Sequence, residues 1–238
     1  MHRTAGAAAA LVLVEHPRRD LTEAFAVVRQ PALVGSRWPV FDDLGEEPLE
    51  HLVDTRAAIE RALAAGTTPV RIRTPGFDPA ALPGAVAALG PGRRYTSLVS
   101  NQLATALEDP GAAAALAELD AVLLGGGPAP AALLERAAAI GINVVRTYGM
   151  SETAGGCVYD GRPLDGVQIR IEGSGQAGRI VLGGATLATG YRNPPDPDPF
   201  AEPGWFRTDD VGALDDSGSL RVLGRADDAI STGGLTVL

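Results

Sequence analysis

The sequence predicts an α/β protein, with a doubly wound parallel sheet followed by an antiparallel, β-barrel-like subdomain. Three observations carry that prediction. Residues 121–153 read strand, helix, strand. The chain before them alternates short apolar runs with alanine-rich helical stretches, and after Gly155 the pattern changes to short strands separated by glycine turns.

Residues 1–56 carry the least pattern. The apolar run at 7–14 is far shorter than the roughly 20 residues a membrane span needs, and reads as a core strand or helix. A helix fits 49–65, with Leu52, Ile59 and Leu63 on one side and Gly66 as its stop. A strand fits 68–73. Asp78 is placed to cap a helix over 79–89, whose alanines and leucines would pack on the sheet. Residues 94–99 read as a strand, and Ser100 as the cap of a helix over 101–107.

The unit at 121–153 is the most informative. AVLL at 121–124 is a buried-strand pattern stopped by Gly125, Gly126 and Gly127. Pro130 suits a first helical turn, and Leu133, Leu134, Ala137, Ala138 and Ile140 recur at helical spacing until Gly141. A second strand follows at 143–147. A crossover of this kind makes its two strands parallel, so both loops leave the same sheet edge, which is where open α/β sheets bind ligands. The three glycines and residues 148–153 (YGMSET) are therefore expected to face one crevice. The second loop offers the ring of Tyr148, the bare backbone of Gly149, the side chain of Met150, the hydroxyls of Ser151 and Thr153, and the carboxylate of Glu152. That set suits a nucleotide: a ring to stack on, hydroxyls for phosphate and a carboxylate for Mg²⁺.

Beyond Gly155, strands are expected at 157–159, 167–171, 178–182, 188–191, 205–214 and 219–223. Turns at Asp160-Gly161, Gly173-Ser174-Gly175 and Asp216-Ser217-Gly218 separate them. NPPDPD at 193–198 is a proline-rich loop with solubilising Asp196 and Asp198.

Composition bounds the function. A chain of 238 residues can bury a sizeable core in one or two domains, and 45% hydrophobic content with only 5% aromatic makes that core aliphatic. A net charge of −9 without Lys/Arg clusters argues against a nucleic-acid partner, and no stretch argues for a membrane. The single cysteine, Cys157, excludes an internal disulfide and fits a reducing cytoplasm. His16 and His51 have no metal-spaced partner, so surface or helix-face positions are expected for both.

YGMSET resembles the signature of the adenylate-forming superfamily, the acyl-CoA synthetases and other AMP-binding enzymes. GWFRTDD at 204–210 and GRADDAIS at 224–231 are similar to that superfamily's other motifs and follow in its order. FDPAALPGAVAALGPGRRYTSLV at 77–99 and GGCVYDGRPLDGV at 155–167 look most like o-succinylbenzoate-CoA ligases of menaquinone synthesis. The resemblance covers the chain from about residue 57 onward.

The resemblance implies a truncated adenylate-forming N-terminal domain. Its parts would be an α/β subdomain at 1–154, divergent over 1–56, an antiparallel β subdomain at 155–223, and a hinge motif at 224–238 that begins a missing C-terminal domain. It implies ATP or AMP with Mg²⁺ as cofactors, CoA as thiol, and a small carboxylic acid or its acyl thioester as partner; a homodimer stays open. By resemblance, Gly125, Gly126, Gly127, Tyr148, Gly149, Met150, Ser151 and Asp210 hold the nucleotide, and Glu152 takes Mg²⁺. Thr153, Glu152 and Arg225 would be the catalytic contacts. Asp210 would accept hydrogen bonds from both ribose hydroxyls, having two acceptor oxygens and no donor. Arg225 would reach the ribose or α-phosphate as an always-charged fork. Asp227 would absorb the hinge rotation. Tyr95, Thr96 and Ser97 either line the acyl pocket or satisfy local backbone. His51 falls near an acyl-pocket position, although Glu46, Glu47 and Glu50 around it look like a solvated helix face. Asp209 stands where many relatives have glycine and sets a second carboxylate beside Asp210.

Against the same family, residues 4–7 open no Ser/Thr/Gly-rich phosphate loop, and all 20 basic residues are arginines. Adenylation brings two anions together, and one lost oxyanion-type donor costs about 10²- to 10³-fold in rate. The expectation is impaired ATP-dependent adenylation, with AMP or an acyl-adenylate binding more readily than ATP. Three explanations remain: a fragment of an ordinary ligase, a shortened homologue repurposed for ATP-independent acyl chemistry, and a non-catalytic binding protein.

Overall fold

The computed structural model describes residues 11–16, 69–72, 76–90, 92–173, 177–226, 230–232 and 235–237. The helix expected at 49–65, His51 and Asp227 lie outside the described residues. Two compact units divide the chain. The first takes the described residues up to Leu123 together with Pro130–Val144, and the second takes Leu124–Ala129 and everything described from Val145 onward.

In the first unit, strands β1 (Leu11–His16), β2 (Val70–Ile72), β3 (Arg93–Val99) and β4 (Ala121–Gly125) are hydrogen-bonded in the order β2-β1-β3-β4. β1 runs antiparallel to both neighbours, with Leu13 opposite Val70 on one side and Thr96 on the other. The sheet is therefore mixed, where the sequence suggested parallel strands throughout. The crossover rule fixes direction only for strands joined through a single packed helix.

Helix α1 (Leu82–Ala87) follows a 3₁₀ turn at Pro79–Ala81, and Asp78 caps that turn by accepting the Ala80 N–H at 3.0 Å, as expected. In α2 (Ser100–Ala106), Ser100 is the first helical residue rather than the cap. The Gln102 side chain does the capping, its Oε1 accepting the Val99 N–H at 3.0 Å. Helix α3 (Pro110–Ala117) was not anticipated; Asp109 accepts the Ala112 N–H at 2.8 Å and Pro110 opens the first turn. Helix α4 (Ala131–Ile140) ends at Gly141, whose φ of +89° is the left-handed stop that glycine adopts without strain. Leu82, Leu103, Leu116, Val122 and Ala137 form the sealed, aliphatic interior of this unit.

In the second unit the end of β4 neighbours β5 (Val144–Met150), and β6 (Gly155–Tyr159) and β7 (Arg162–Pro163) follow by antiparallel pairing. β8 (Val167–Glu172), β9 (Gly178–Gly184), β10 (Trp205–Leu214) and β11 (Leu220–Arg225) build a second, wholly antiparallel sheet in the order β11-β10-β9-β8. β12 (Ile230–Thr232) and β13 (Leu235–Val237) form a separate hairpin. Cys157, Val158, Leu164, Val167, Ile180, Leu182 and Leu220 make one buried cluster, and Tyr148 and Met150 pack against it.

Two local expectations fail here. Residues 188–191 are irregular rather than a strand; Gly190, at φ +140°, breaks the extended run. Residues 148–150 are not loop but the last part of β5, because β6 folds back and pairs Tyr148 with Val158 and Met150 with Gly155. Among the described residues no helix is long and apolar enough to cross a membrane.

Candidate functional site

The residues singled out in YGMSET and WFRTDD all lie in the second unit, and its two sheets explain how they meet. The hairpin of β5 and β6 demands glycine at 149. A Cβ there would sit 2.1 Å from the Gly155 carbonyl oxygen, which no side chain can do. Past Met150 a 3₁₀ turn at Ser151–Thr153 closes the motif. Thr153 is 2% exposed. Its Oγ1 accepts the Met150 N–H at 2.9 Å and lies 3.0 Å from the Met150 carbonyl and 2.7 Å from that of Gly155. The hydroxyl thus ties the turn together from inside, while Ser151 is exposed.

Tyr148 keeps its ring half-buried and donates its phenolic hydrogen to Asp210 Oδ2 at 2.7 Å. Burial first, then the charge and hydrogen bond of Asp210, push the phenol well above its ordinary range, so it stays protonated and acts as a donor. Gly125 lies against Thr147, and a Cβ on it would stand 2.5 Å from the Thr147 Oγ1. Gly126 and Gly127 are exposed turn residues.

Asp210 reaches Tyr148 from an irregularity in β10. Arg207 pairs with Val181 and Val211 with Arg179, so Thr208, Asp209 and Asp210 together stand opposite Ile180 alone. Such a bulge strands backbone polar groups, and four of them find partners here. Thr208 Oγ1 donates to the Ile180 carbonyl at 2.8 Å and accepts the Asp210 N–H at 3.1 Å. Arg179 donates to the Thr208 carbonyl at 2.7 Å, and the Ala226 N–H donates to that of Asp209 at 2.7 Å. Arg179 also pairs with the Asp209 carboxylate at 2.7 Å, and the Arg225 guanidinium stands 3.8 Å from it. Arg225 is the register partner of Asp210 across β10 and β11. The second carboxylate beside Asp210 is thus held by two arginines.

Glu152 belongs to a different contact. Tyr191 donates its hydroxyl to Glu152 Oε1 at 2.5 Å, and the Ala188 N–H donates to the Glu152 backbone carbonyl at 2.8 Å. Burial and then the hydrogen bond to Glu152 raise the Tyr191 phenol well above its ordinary range, with the charge of Asp209 adding to it. Among the described residues no arginine pairs with Glu152. Nor is there a group of three His, Cys, Asp or Glu side chains among them, so a cation at Glu152 would take its remaining ligands from phosphate and water, as Mg²⁺ does.

Tyr95 and Ser97 belong to the first unit. Tyr95 is 2% exposed within its core and Ser97 is exposed. Thr208, Arg179 and Tyr191 escaped the sequence reading. The Thr-Asp-Asp triplet was the available signal for the first. Gly190 immediately before Tyr191 was the signal for the third.

A family model described as AMP-binding enzyme matches residues 21–192. The chain belongs to the AMP-binding enzyme family. In Mycobacterium tuberculosis, the protein named "Probable 2-succinylbenzoate--CoA ligase" is 67% identical over 185 residues, covering 76% of this chain and 48% of that protein. The chain therefore spans about half the length of the curated relatives it matches. Among solved structures, the o-succinylbenzoate CoA synthetase of Bacillus subtilis with its product analogue OSB-NCoA is 27% identical at a TM-score of 0.64, covering 78% of this chain and 41% of that one. The same synthetase in complex with ATP and magnesium ion gives 26% identity and a TM-score of 0.59, with 78% and 42% covered. A malonyl-CoA ligase with methylmalonyl-CoA and AMP bound is 28% identical at a TM-score of 0.65, covering 79% and 45%. The α/β class read from the sequence is that of these family members.

Proposed function

We propose that the chain is the adenylate-binding part of a 2-succinylbenzoate–CoA ligase, and that its second unit holds AMP or the acyl-adenylate. The observation that carries this reading is the hydrogen bond from Tyr148 to Asp210, which joins the YGMSET strand to the WFRTDD strand. A carboxylate oriented by a phenol is suited to accept a ribose hydroxyl, and Arg225 across the sheet supplies a fixed positive charge for phosphate. The relatives solved with ATP and magnesium ion, and with AMP, support the cofactors. Glu152 is the residue that would hold Mg²⁺, which when bound neutralises phosphate charge. CoA and the aromatic acid come from the relatives' names and the product-analogue complex.

In such a ligase a carboxylate oxygen of the acid bonds to the α-phosphorus of ATP as the bond to pyrophosphate breaks. The CoA thiol, losing its proton, then displaces AMP from the acyl carbon. Both steps ask for cations where charge develops. This 238-residue chain contains no lysine, so arginines alone supply fixed positive side-chain charge. We infer that it binds adenylate but forms the thioester slowly on its own.

Isothermal titration with AMP, with a non-hydrolysable acyl-adenylate analogue and with ATP tests the reading. AMP and the analogue are expected to bind more tightly than ATP, and Asp210→Ala to weaken both by about tenfold or more, the loss of one charge-assisted hydrogen bond. Binding of AMP that Asp210→Ala leaves unchanged would overturn it, and thioester formation near 1 to 10 per second, roughly the ordinary enzyme range, would overturn the inference of slow thioester formation.

A further inference from the structure

Glu152 and Tyr191 are joined by a contact that the adenylate reading does not use. The phenol of Tyr191 reaches Glu152 Oε1 at 2.5 Å from a segment 39 residues further along the chain. That segment is fixed independently. Tyr191 meets Phe200 edge-on with ring centroids 5.4 Å apart, and Phe200 stacks on buried Phe206 at 4.7 Å. The Arg207 N–H donates to the Pro199 carbonyl at 2.9 Å, pinning the far end of the segment to β10. At the near end Ala188 binds the Glu152 backbone. The Tyr191 side chain is 40% exposed, but its ring is anchored edge-on against Phe200 and its segment is bonded to the protein near both ends.

A carboxylate on a two-torsion stem has two equivalent oxygens and can swing between them. A hydrogen bond to one from a fixed donor removes that freedom and leaves the other oxygen at a defined place. Partners of this kind, one bond removed from a metal, orient the ligating carboxylate. We propose that Tyr191 is a positioning residue for the divalent cation that accompanies the nucleotide: it holds Glu152 through Oε1 so that Oε2 alone faces the ion. The inference rests on the assignment of Glu152 as the cation ligand in the adenylate reading, and goes beyond it in naming the residue that orients the ligand. Mg²⁺ demands near-ideal octahedral geometry and draws few protein ligands, so the placement of a single carboxylate oxygen weighs heavily.

The test uses the full chain and calorimetry rather than turnover. ATP is titrated without metal and at increasing MgCl₂, and metal-free AMP is titrated as a control, for wild type, Tyr191→Phe and Glu152→Gln. Tyr191→Phe keeps the ring that packs on Phe200 and deletes only the hydroxyl. The expected result is a loss of about 10- to 100-fold in apparent Mg²⁺ affinity for Tyr191→Phe, the range for removal of such a partner, with metal-free AMP affinity unchanged. A purely structural tyrosine would instead move both affinities together, and that result overturns the proposal. If Glu152→Gln abolishes the Mg²⁺ effect while Tyr191→Phe keeps it in full, the positioning role falls and the adenylate reading stands. If wild type binds AMP with no Mg²⁺ dependence of ATP binding, the assignment of Glu152 fails and the positioning role fails with it.

Discussion

Tyr148 and Asp210, 62 residues apart in the chain, share a 2.7 Å hydrogen bond that ties the hairpin strand β5 to the bulged strand β10. Both residues stand at irregular places in their ladders: the register of β5 against β6 shifts between Tyr148 and Gly149, and that of β10 against β9 shifts between Arg207 and Val211.

Removing that hydroxyl should be felt in stability as well as in binding. Tyr148→Phe is expected to cost about 1.5–3 kcal/mol, the range for a hydrogen bond to a charged group. Chemical denaturation of wild type and variant checks this. A cost indistinguishable from zero would mean that the pair is not made in solution.

The same contact predicts a response to alkali. The folded Tyr148 phenol lies above its ordinary value of about 10. A group whose folded pKa is raised contributes stability that is fully present below its unfolded pKa and lost as pH rises towards the folded one. Stability should therefore fall above about pH 10, and Tyr148 should resist ionisation there. Absorbance at the tyrosinate band, read against Tyr148→Phe, should show fewer than the chain's four tyrosines ionising before unfolding, with Tyr148 among those protected.

Thr208 offers a sharper substitution. Val has nearly its shape but no hydroxyl, so Thr208→Val leaves the Ile180 carbonyl and the Asp210 N–H without their partner in a site only 1% exposed. The expected loss is about 1–3 kcal/mol, together with weakened AMP binding as Asp210 shifts. Thr208→Ser keeps the oxygen and should preserve most of both. Equal behaviour of the two variants would contradict the bulge account.

Gly149→Ala tests the close approach of the hairpin. Its added methyl meets the Gly155 backbone, which cannot rotate away as a side-chain tip could. A loss of about 1–3 kcal/mol, the usual cost of overpacking, or more is expected, read by thermal melting. The neighbouring change Gly156→Ala meets side-chain atoms instead, the Tyr159 hydroxyl at 3.2 Å and the Thr147 Cβ at 3.3 Å, and should cost less.

How much of this was legible in the sequence follows from what each signal encodes. β4, α4 and β5 were readable because periodicity and the stops at Gly125 and Gly141 are local. Asp78 announced its turn for the same reason. Helix α3 was missed because PGAAAALA carries no amphipathic stripe; it buries Ala112, Ala113, Ala115 and Leu116 through packing alone. The continuation of β5 through Met150 and the register of β10 depend on which strands pair with them, information that lies in distant segments. The mixed direction of the first sheet is hidden likewise. Within the candidate site, the motifs pointed to Tyr148, Glu152, Asp210 and Arg225 one by one. That Tyr148 would hold Asp210 and Tyr191 would hold Glu152 could be seen only once the chain was folded.

β10 sets Thr208, Asp209 and Asp210 against the single residue Ile180, while the rungs on either side stay in place. A one-residue deletion in this triplet would leave both flanking pairs able to form and, whichever residue is lost, an aspartate directly before Val211, but it would remove the Thr208 hydroxyl or the two-residue spacing by which that hydroxyl accepts the Asp210 N–H. Residue count at this point is thus a carrier of chemistry, separate from residue identity. Homologues aligned with a one-residue gap at 208–210 should keep the architecture and lose the bond from the Thr208 hydroxyl that orients the carboxylate. Alignment gaps at this triplet are therefore a better marker of altered function than substitutions in the aliphatic core, where one methyl group more or less changes only stability.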